Sequence, residues 1–171
     1  MKIVLVGYMA SGKSTVGRLL ANRLGTAFID LDDYIEAFEK KRISTIFAEK
    51  GELYFRKLEH QMLIRVLGEN DSLVLATGGG TPVYGNNMRT IQELSDHSVY
   101  LQWSIAELVA RIAGEKESRP LVRDLPLEDL PEFIGKHLFE RLPFYGQADH
   151  ILDCNGMDAE TVAAELEKLL L

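Results

Sequence analysis

Lys13 and Ser14 close the pattern Gly7-x-x-x-x-Gly12-Lys13-Ser14, with Ala10 and Ser11 inside it and Thr15 directly after. Backbone N–H groups of such a glycine-framed loop, together with a helix N-terminus, present positive potential to phosphate oxygens. Lys13 can reach the terminal phosphates of a nucleotide, and the Ser14 hydroxyl can ligate Mg²⁺. That chemistry requires a strand before the loop and a helix after it. Ile3–Val6 is a short apolar run suited to a buried strand, and Val16, Leu19, Leu20 and Leu24 fall at helical spacing. A chance match in a glycine-rich turn would lack this context.

Two carboxylates, Asp30 and Asp32, follow the next short apolar stretch, 27–29. In extended backbone, residues i and i+2 point to one side. One carboxylate could hold Mg²⁺, directly or through water, while the other accepts or orients the proton of an attacking hydroxyl. The pair could equally cap the following helix, and Asp33 reads as a capping or surface residue. Arg56 and Glu59 stand at i,i+3, neighbours on a helix. They form either a weak surface pair or a fixed guanidinium that grips a carboxylate bidentately, with Glu59 as the orienting residue. Gly78-Gly79-Gly80 follows the apolar run 73–76, giving a backbone that a ligand could approach closely. Arg119 lies in a charged, proline-containing stretch, 114–126, of the kind that forms functional lids. It could close over a transferring phosphoryl group or remain a solvated charge. Arg141 could face the same crevice or compensate a helix dipole. Arg111 either stacks on an adenine or belongs to a polar helix face. His60, His97, His137 and His150 show no ligand spacing and read as structural or surface residues.

The elements that must position these groups alternate. Strands are expected at 3–6, 27–29, 73–76, 98–103 and 150–152. Helices are expected at about 13–24, 33–41, 43–50, 52–68, 86–95, 105–112, 131–145 and 158–170. This is an α/β domain with a parallel sheet and helices on both faces. Ligands of such sheets bind beyond the carboxyl ends of the strands, so Gly7–Ser14, Asp30–Asp32 and Gly78–Gly80 should converge on one crevice. At 171 residues, 46% hydrophobic and 26% charged, the chain is sized for a single globular domain. A net charge of −7 disfavours a broad nucleic-acid surface. The sole cysteine, Cys154, excludes an internal disulfide and reads as a buried bystander. No apolar run is long enough to cross a bilayer. Met1-Lys2-Ile3 runs into the first strand without signal-peptide anatomy, so a cytoplasmic protein is expected.

Taken together, the motifs resemble the shikimate kinase family over nearly the whole chain. The matching stretches are 7–15, Phe-Ile-Asp-Leu-Asp (28–32), 46–59 with Phe-Arg-x-x-Glu, Gly-Gly-Gly (78–80), Arg-Pro-Leu (119–121) and Arg-Leu-Pro-Phe-Tyr (141–145). The resemblance implies a three-layer α/β/α P-loop kinase with sheet order 2-3-1-4-5, substrate-binding helices at about 32–60 and a lid at about 114–126. It implies ATP-dependent phosphorylation of the 3-hydroxyl of shikimate, in the route to chorismate and the aromatic amino acids. Lys13, Asp32 and Arg119 would then be catalytic. Ala10, Ser11, Gly12, Lys13, Ser14, Thr15, Arg111, Arg119 and Asn155 would bind ATP. Asp32, Arg56, Gly78, Gly79, Gly80 and Arg141 would bind shikimate, and Ser14 and Asp30 would serve Mg²⁺. The family's adenine loop often carries an Asn/Arg-Pro element, where this chain has Asp153-Cys154-Asn155-Gly156. The expected partners are ATP and shikimate, acting on a monomer, with neither nucleic acid nor membrane. Gluconate and nucleotide kinases share the loop but not this motif set. A catalytically silent nucleotide-binding regulator would be expected to lack Asp32, Arg56 or Arg141.

Overall fold

The computed structural model describes all 171 residues. Its five strands are β1 (Lys2–Val6), β2 (Ala27–Asp30), β3 (Leu73–Ala76), β4 (His97–Gln102) and β5 (His150–Asp153). They form one parallel sheet in the order β2-β3-β1-β4-β5. The central strands read as unbroken apolar runs because both faces are covered. Ile3 to Val6 and Leu73 to Leu75 have no exposed surface. The edge strands β2 and β5 are only partly buried.

Seven helices connect and flank the sheet: α1 (Lys13–Leu24), α2 (Leu31–Glu39), α3 (Ile43–Glu69), α4 (Asn87–Leu94), α5 (Ile105–Glu115), α6 (Leu130–Tyr145) and α7 (Ala159–Leu170). No helix is long and apolar enough to cross a membrane. Helix α1 packs against α7, α2 against α3, and α5 against α6. The approach of α1 to β2 is close: a Cβ on Gly17 would fall 2.5 Å from the Phe28 ring. Gly25 ends α1 in the left-handed region, as its sequence position suggests. Gly51 interrupts α3 at φ 82°, ψ 171°, which divides it where the sequence separates two helices.

Two details differ from the sequence reading. Asp30 ends β2, and Asp32 already lies in the first turn of α2, so the pair does not share extended backbone. Helix α5 runs on to Glu115 and is followed by a 3-10 turn at Lys116–Ser118, so the irregular stretch is shorter than 114–126. Val122 anchors that stretch by its fully buried side chain, while Leu121 beside it is exposed.

Candidate active site

The strand register brings the functional segments to one edge of the sheet. Asp30 lies opposite Ala76 in the β2–β3 pair, and Leu5 opposite Ala76 in the β1–β3 pair. The loop 7–12, Asp30, the glycines 78–80 and Trp103 therefore all emerge at the carboxyl ends of their strands. Of these, residues 9–12, Asp30, Gly78, Gly79 and Trp103 line a cleft of about 450 Å³ that also receives Arg111, Glu115 and Arg119.

The phosphate loop is held open by backbone geometry. Gly7, Ala10 and Gly12 adopt positive φ, of 153°, 61° and 83°. At Ala10, an L-residue in the left-handed region costs about 1 kcal/mol relative to glycine. Lys13 is the first residue of α1 and is buried. Its Nζ donates to the Gly7 carbonyl at 2.8 Å, the Tyr8 carbonyl at 2.9 Å and Ser11 Oγ at 3.3 Å. Burial lowers its pKa to about 8, against the opposing pull of the Asp32 and Asp30 carboxylates. Ser14 donates its hydroxyl proton to Asp30 Oδ2. The other oxygen of Asp30 caps α2, accepting from the backbone N–H of Asp32 at 2.9 Å and of Asp33 at 3.2 Å. Capping and ligand-facing roles are thus not alternatives for Asp30, because each oxygen faces a different group. Asp33 does not cap; it is exposed and lies 4.0 Å from Arg18.

Beside the loop, the three glycines after β3 make a floor. A Cβ on Gly78 would lie 3.1 Å from Asp32 Oδ1, and one on Gly79 would lie 3.3 Å from Arg141 Nη1. One on Gly80 would meet the Arg56 guanidinium at 2.9 Å. Each glycine accommodates one of the three side chains expected to meet the acceptor. Close approach, not unusual φ, is what excludes a side chain here; none of the three has positive φ. Burial raises the Asp32 pKa to about 6, and the neighbouring Asp30 and Glu59 carboxylates add to the effect.

Arg56 and Glu59 are not a surface pair. Glu59 is 1% exposed, with Oε1 accepting from Arg56 Nη1 at 2.9 Å and Oε2 from Thr81 Oγ1 at 2.8 Å. Both carboxylate oxygens are satisfied, so the guanidinium is fixed by a charge that is itself held in place. The Arg56 guanidinium carbon also lies over the Tyr84 ring, 3.8 Å from its centroid. Tyr145 donates its hydroxyl proton to the Gly79 carbonyl at 2.6 Å, which ties α6 to the glycine floor.

Against the outer edge of the loop, the Arg111 guanidinium lies 3.6 Å from the centroid of Trp103, and Arg111 Nη1 donates to the Ala10 carbonyl at 3.3 Å. Trp103 donates its indole N–H to the Ser11 carbonyl at 3.0 Å. Trp103, Thr81, Tyr84 and Tyr145 carry no site role in the sequence reading. The available signal for Trp103 is its place as the single tryptophan, directly after a strand. Arg119 Nε and Nη2 both pair with Glu115, the Nε contact at 2.8 Å, so its guanidinium is engaged one turn back rather than free. Asn155 is not brought into the cleft lining. Its Oδ1 accepts from the Ser104 backbone N–H at 2.9 Å and its Nδ2 donates to Asp153 at 2.8 Å, joining the loop after β5 to the start of α5. Cys154 is fully buried, and burial pushes its thiol up to about 12.

The arrangement offers phosphate donors on one side and a carboxylate with two guanidinium groups on the other. Lys13 and Asp32 are close enough to influence each other's ionisation. Comparison with known proteins agrees with this layout. The family model for shikimate kinase matches residues 9–170. A shikimate kinase of Flavobacterium psychrophilum is 40% identical over 169 residues, covering 99% of this chain and 98% of the relative. The crystal structure of shikimate kinase from Bacteroides thetaiotaomicron superposes with a TM-score of 0.93 at 36% identity, covering 99% of this chain and 98% of that one. Shikimate kinase from Acinetobacter baumannii, solved in complex with shikimate, gives 0.86 at 34% identity, covering 99% and 92%. With the fold, the phosphate loop and full-length similarity in agreement, the chain belongs to the shikimate kinase family.

Proposed function

We propose that this enzyme transfers the terminal phosphoryl group of ATP to the 3-hydroxyl of shikimate, giving shikimate 3-phosphate and ADP. The observation that carries the reading is the convergence of Asp32, Arg141 and Arg56 on Gly78, Gly79 and Gly80 in turn, beside the phosphate loop. Two guanidinium groups suit the substrate's carboxylate, with Arg56 held by Glu59. Asp32 holds the reacting hydroxyl. As the new O–P bond forms, the hydroxyl proton passes to the Asp32 carboxylate and the bridging O–P bond of ATP breaks toward ADP. A carboxyl that titrates near 6 is ionised at neutral pH and can accept that proton.

Residues 10–15 cradle the phosphates, and Lys13 neutralises the group in flight. Its ammonium donates to three acceptors of the loop, and phosphate oxygens would replace some of them. Ser14 and Asp30, paired hard oxygen donors at the N-terminus of α1, fit Mg²⁺, which takes one or two protein ligands and completes its shell with phosphate and water. Bound there, Mg²⁺ would supply charge neutralisation for the phosphates. Arg111 and Trp103 form a flat platform suited to the adenine side. The stretch 116–126, beyond the end of α5, acts as the lid, bringing Arg119 from Glu115 to the phosphates and excluding water.

The test is a coupled assay of ADP formation with ATP and Mg²⁺. Shikimate should give a rate far above background, while gluconate and nucleoside monophosphates should not. Equal rates with either rival acceptor would overturn the assignment. ADP formation indifferent to shikimate would leave only an ATPase, and no ADP formation at all would leave only a nucleotide-binding protein.

A further inference from the structure

Helix α6 carries His137, Arg141 and Tyr145 at successive i,i+4 positions, so the three side chains share one face. Arg141 stands over Gly79, and Tyr145 donates to the Gly79 carbonyl. His137, one turn earlier, faces a different partner. Its Nδ1 lies 2.8 Å from the hydroxyl of Tyr8, in the phosphate loop. The two rings meet edge-on, with centroids 5.3 Å apart and planes at 80°, and Phe133 backs the imidazole at 5.4 Å. Tyr8 is 1% exposed, and its own carbonyl accepts from Lys13 Nζ and from the Ser11 backbone N–H.

We propose that the Tyr8–His137 hydrogen bond is a strut that couples the phosphate loop to α6, so that nucleotide binding and acceptor binding reinforce each other. Tyr8 and His137 are positioning residues: Tyr8 acts through Lys13, and His137 through Arg141. The inference rests on the reading of Arg141 as an acceptor ligand.

The alternative, a hydrogen bond that merely fills a polar gap in the core, explains less. The bond joins the two segments that hold the two substrates, and each partner is adjacent to a functional group of its own segment. Tyr8 offers its carbonyl to Lys13, and His137 lies one turn from Arg141. A shift of α6 that moves Arg141 relative to Gly79 must either carry Tyr8 with it or break the bond. The charge state of the pair is also defined. Burial, assisted by the Arg141 charge and opposed by Glu140, lowers the His137 pKa, so the imidazole is neutral at physiological pH. Burial raises the Tyr8 pKa above its usual value, so the phenol keeps its proton. Neither group is charged, so the bond joins a phenol and a neutral imidazole in either tautomer.

The experiment measures shikimate affinity by calorimetry with and without saturating Mg·ADP, in the wild type, Tyr8→Phe, His137→Leu and His137→Asn. In the wild type ADP should tighten shikimate binding by about fivefold or more, the usual scale of coupling between sites. Tyr8→Phe and His137→Leu should bring that factor close to one, with shikimate affinity in the absence of nucleotide unchanged within about twofold. The double variant Tyr8→Phe/His137→Leu should lose no more than either single variant. His137→Asn, whose amide reaches the position of Nδ1, should retain the coupling. A coupling factor in Tyr8→Phe equal to the wild type's would overturn the strut, as would a wild type without coupling. Parallel loss of unaided shikimate affinity and of melting temperature in both variants would instead mark a purely structural contact and also reject the proposal. If the wild type forms no ADP with shikimate, the functional reading fails. If it does and the variants keep their coupling, only the strut fails.

Discussion

Replacing Asp32 by Asn should stabilise the protein while nearly abolishing turnover. In the folded chain the Asp32 carboxyl titrates near 6, against 3.8 for the free side chain, because burial and then the Asp30 and Glu59 carboxylates oppose its ionisation. The sign follows from linkage. A raised pKa in an acid means that the folded state holds its proton longer than the unfolded state. Stability therefore falls as pH rises from about 4 through about 6 and stays lowered above that. A shift of about two units corresponds to about 3 kcal/mol at neutral pH. Because the side chain keeps some solvent contact, about 1–3 kcal/mol is the expected range. About half should already be present by pH 5. Asn has no charge to desolvate, so Asp32→Asn should melt about 2–10 °C higher than the wild type at pH 7.5. The gap should narrow steadily toward pH 4.5. The assay is thermal unfolding across that pH range, with turnover measured in parallel. Turnover should fall by a factor of about 10² to 10⁴, the usual contribution of a positioned general base. A variant less stable than the wild type at pH 7.5, or a gap independent of pH, would refute the desolvation argument. Near-normal turnover would refute the assigned role.

Three further outcomes follow from named contacts. Lys13, with its pKa lowered to about 8 by burial, should give kcat/KM for ATP an alkaline limb near that pH, as loss of the proton removes the phosphate-binding charge; a profile flat to pH 9.5 would contradict this. Glu59→Gln removes the buried charge that fixes Arg56 and should raise the shikimate KM about tenfold with kcat largely kept; an unchanged KM would show that Arg56 needs no such support. Gly17→Ala drives a methyl to 2.5 Å from Phe28 and should cost about 1–3 kcal/mol in denaturant unfolding, with the KM for shikimate unaffected; unchanged stability would mean that β2 moves aside freely.

The phosphate loop was legible because its parts are adjacent in the chain. A strand, two glycines, a lysine and a helix start lie within one short stretch, and backbone geometry alone assembles them. Convergence of Asp30, Asp32 and Gly78–Gly80 was also legible, since parallel strands place their carboxyl ends together. What sequence could not supply is which side chain meets which glycine. The contacts of Arg56 with Gly80 and Arg141 with Gly79 depend on how α3 and α6 pack, which periodicity does not encode. The burial of Glu59 has the same origin: an i,i+3 spacing is identical for a solvated pair and for one sealed by Thr81. The separate premise that Asp30 and Asp32 share one side of an extended strand is wrong, because the chain turns helical between them. The Glu115–Arg119 pair has a visible i,i+4 spacing, but the charged, proline-containing run from Gly114 onward has no helical periodicity to reveal that α5 continues to Glu115.

The central claim is that the phosphoryl group held by the loop goes to an acceptor held by Asp32, Arg56 and Arg141. Phosphorus NMR of a reaction containing ATP, Mg²⁺ and shikimate tests it most directly. A phosphomonoester coupled to the proton on carbon 3 of shikimate should appear in step with ADP, and Arg141→Ala should need far more shikimate to reach the same rate. Release of inorganic phosphate alone, with no ester on shikimate, would contradict the account.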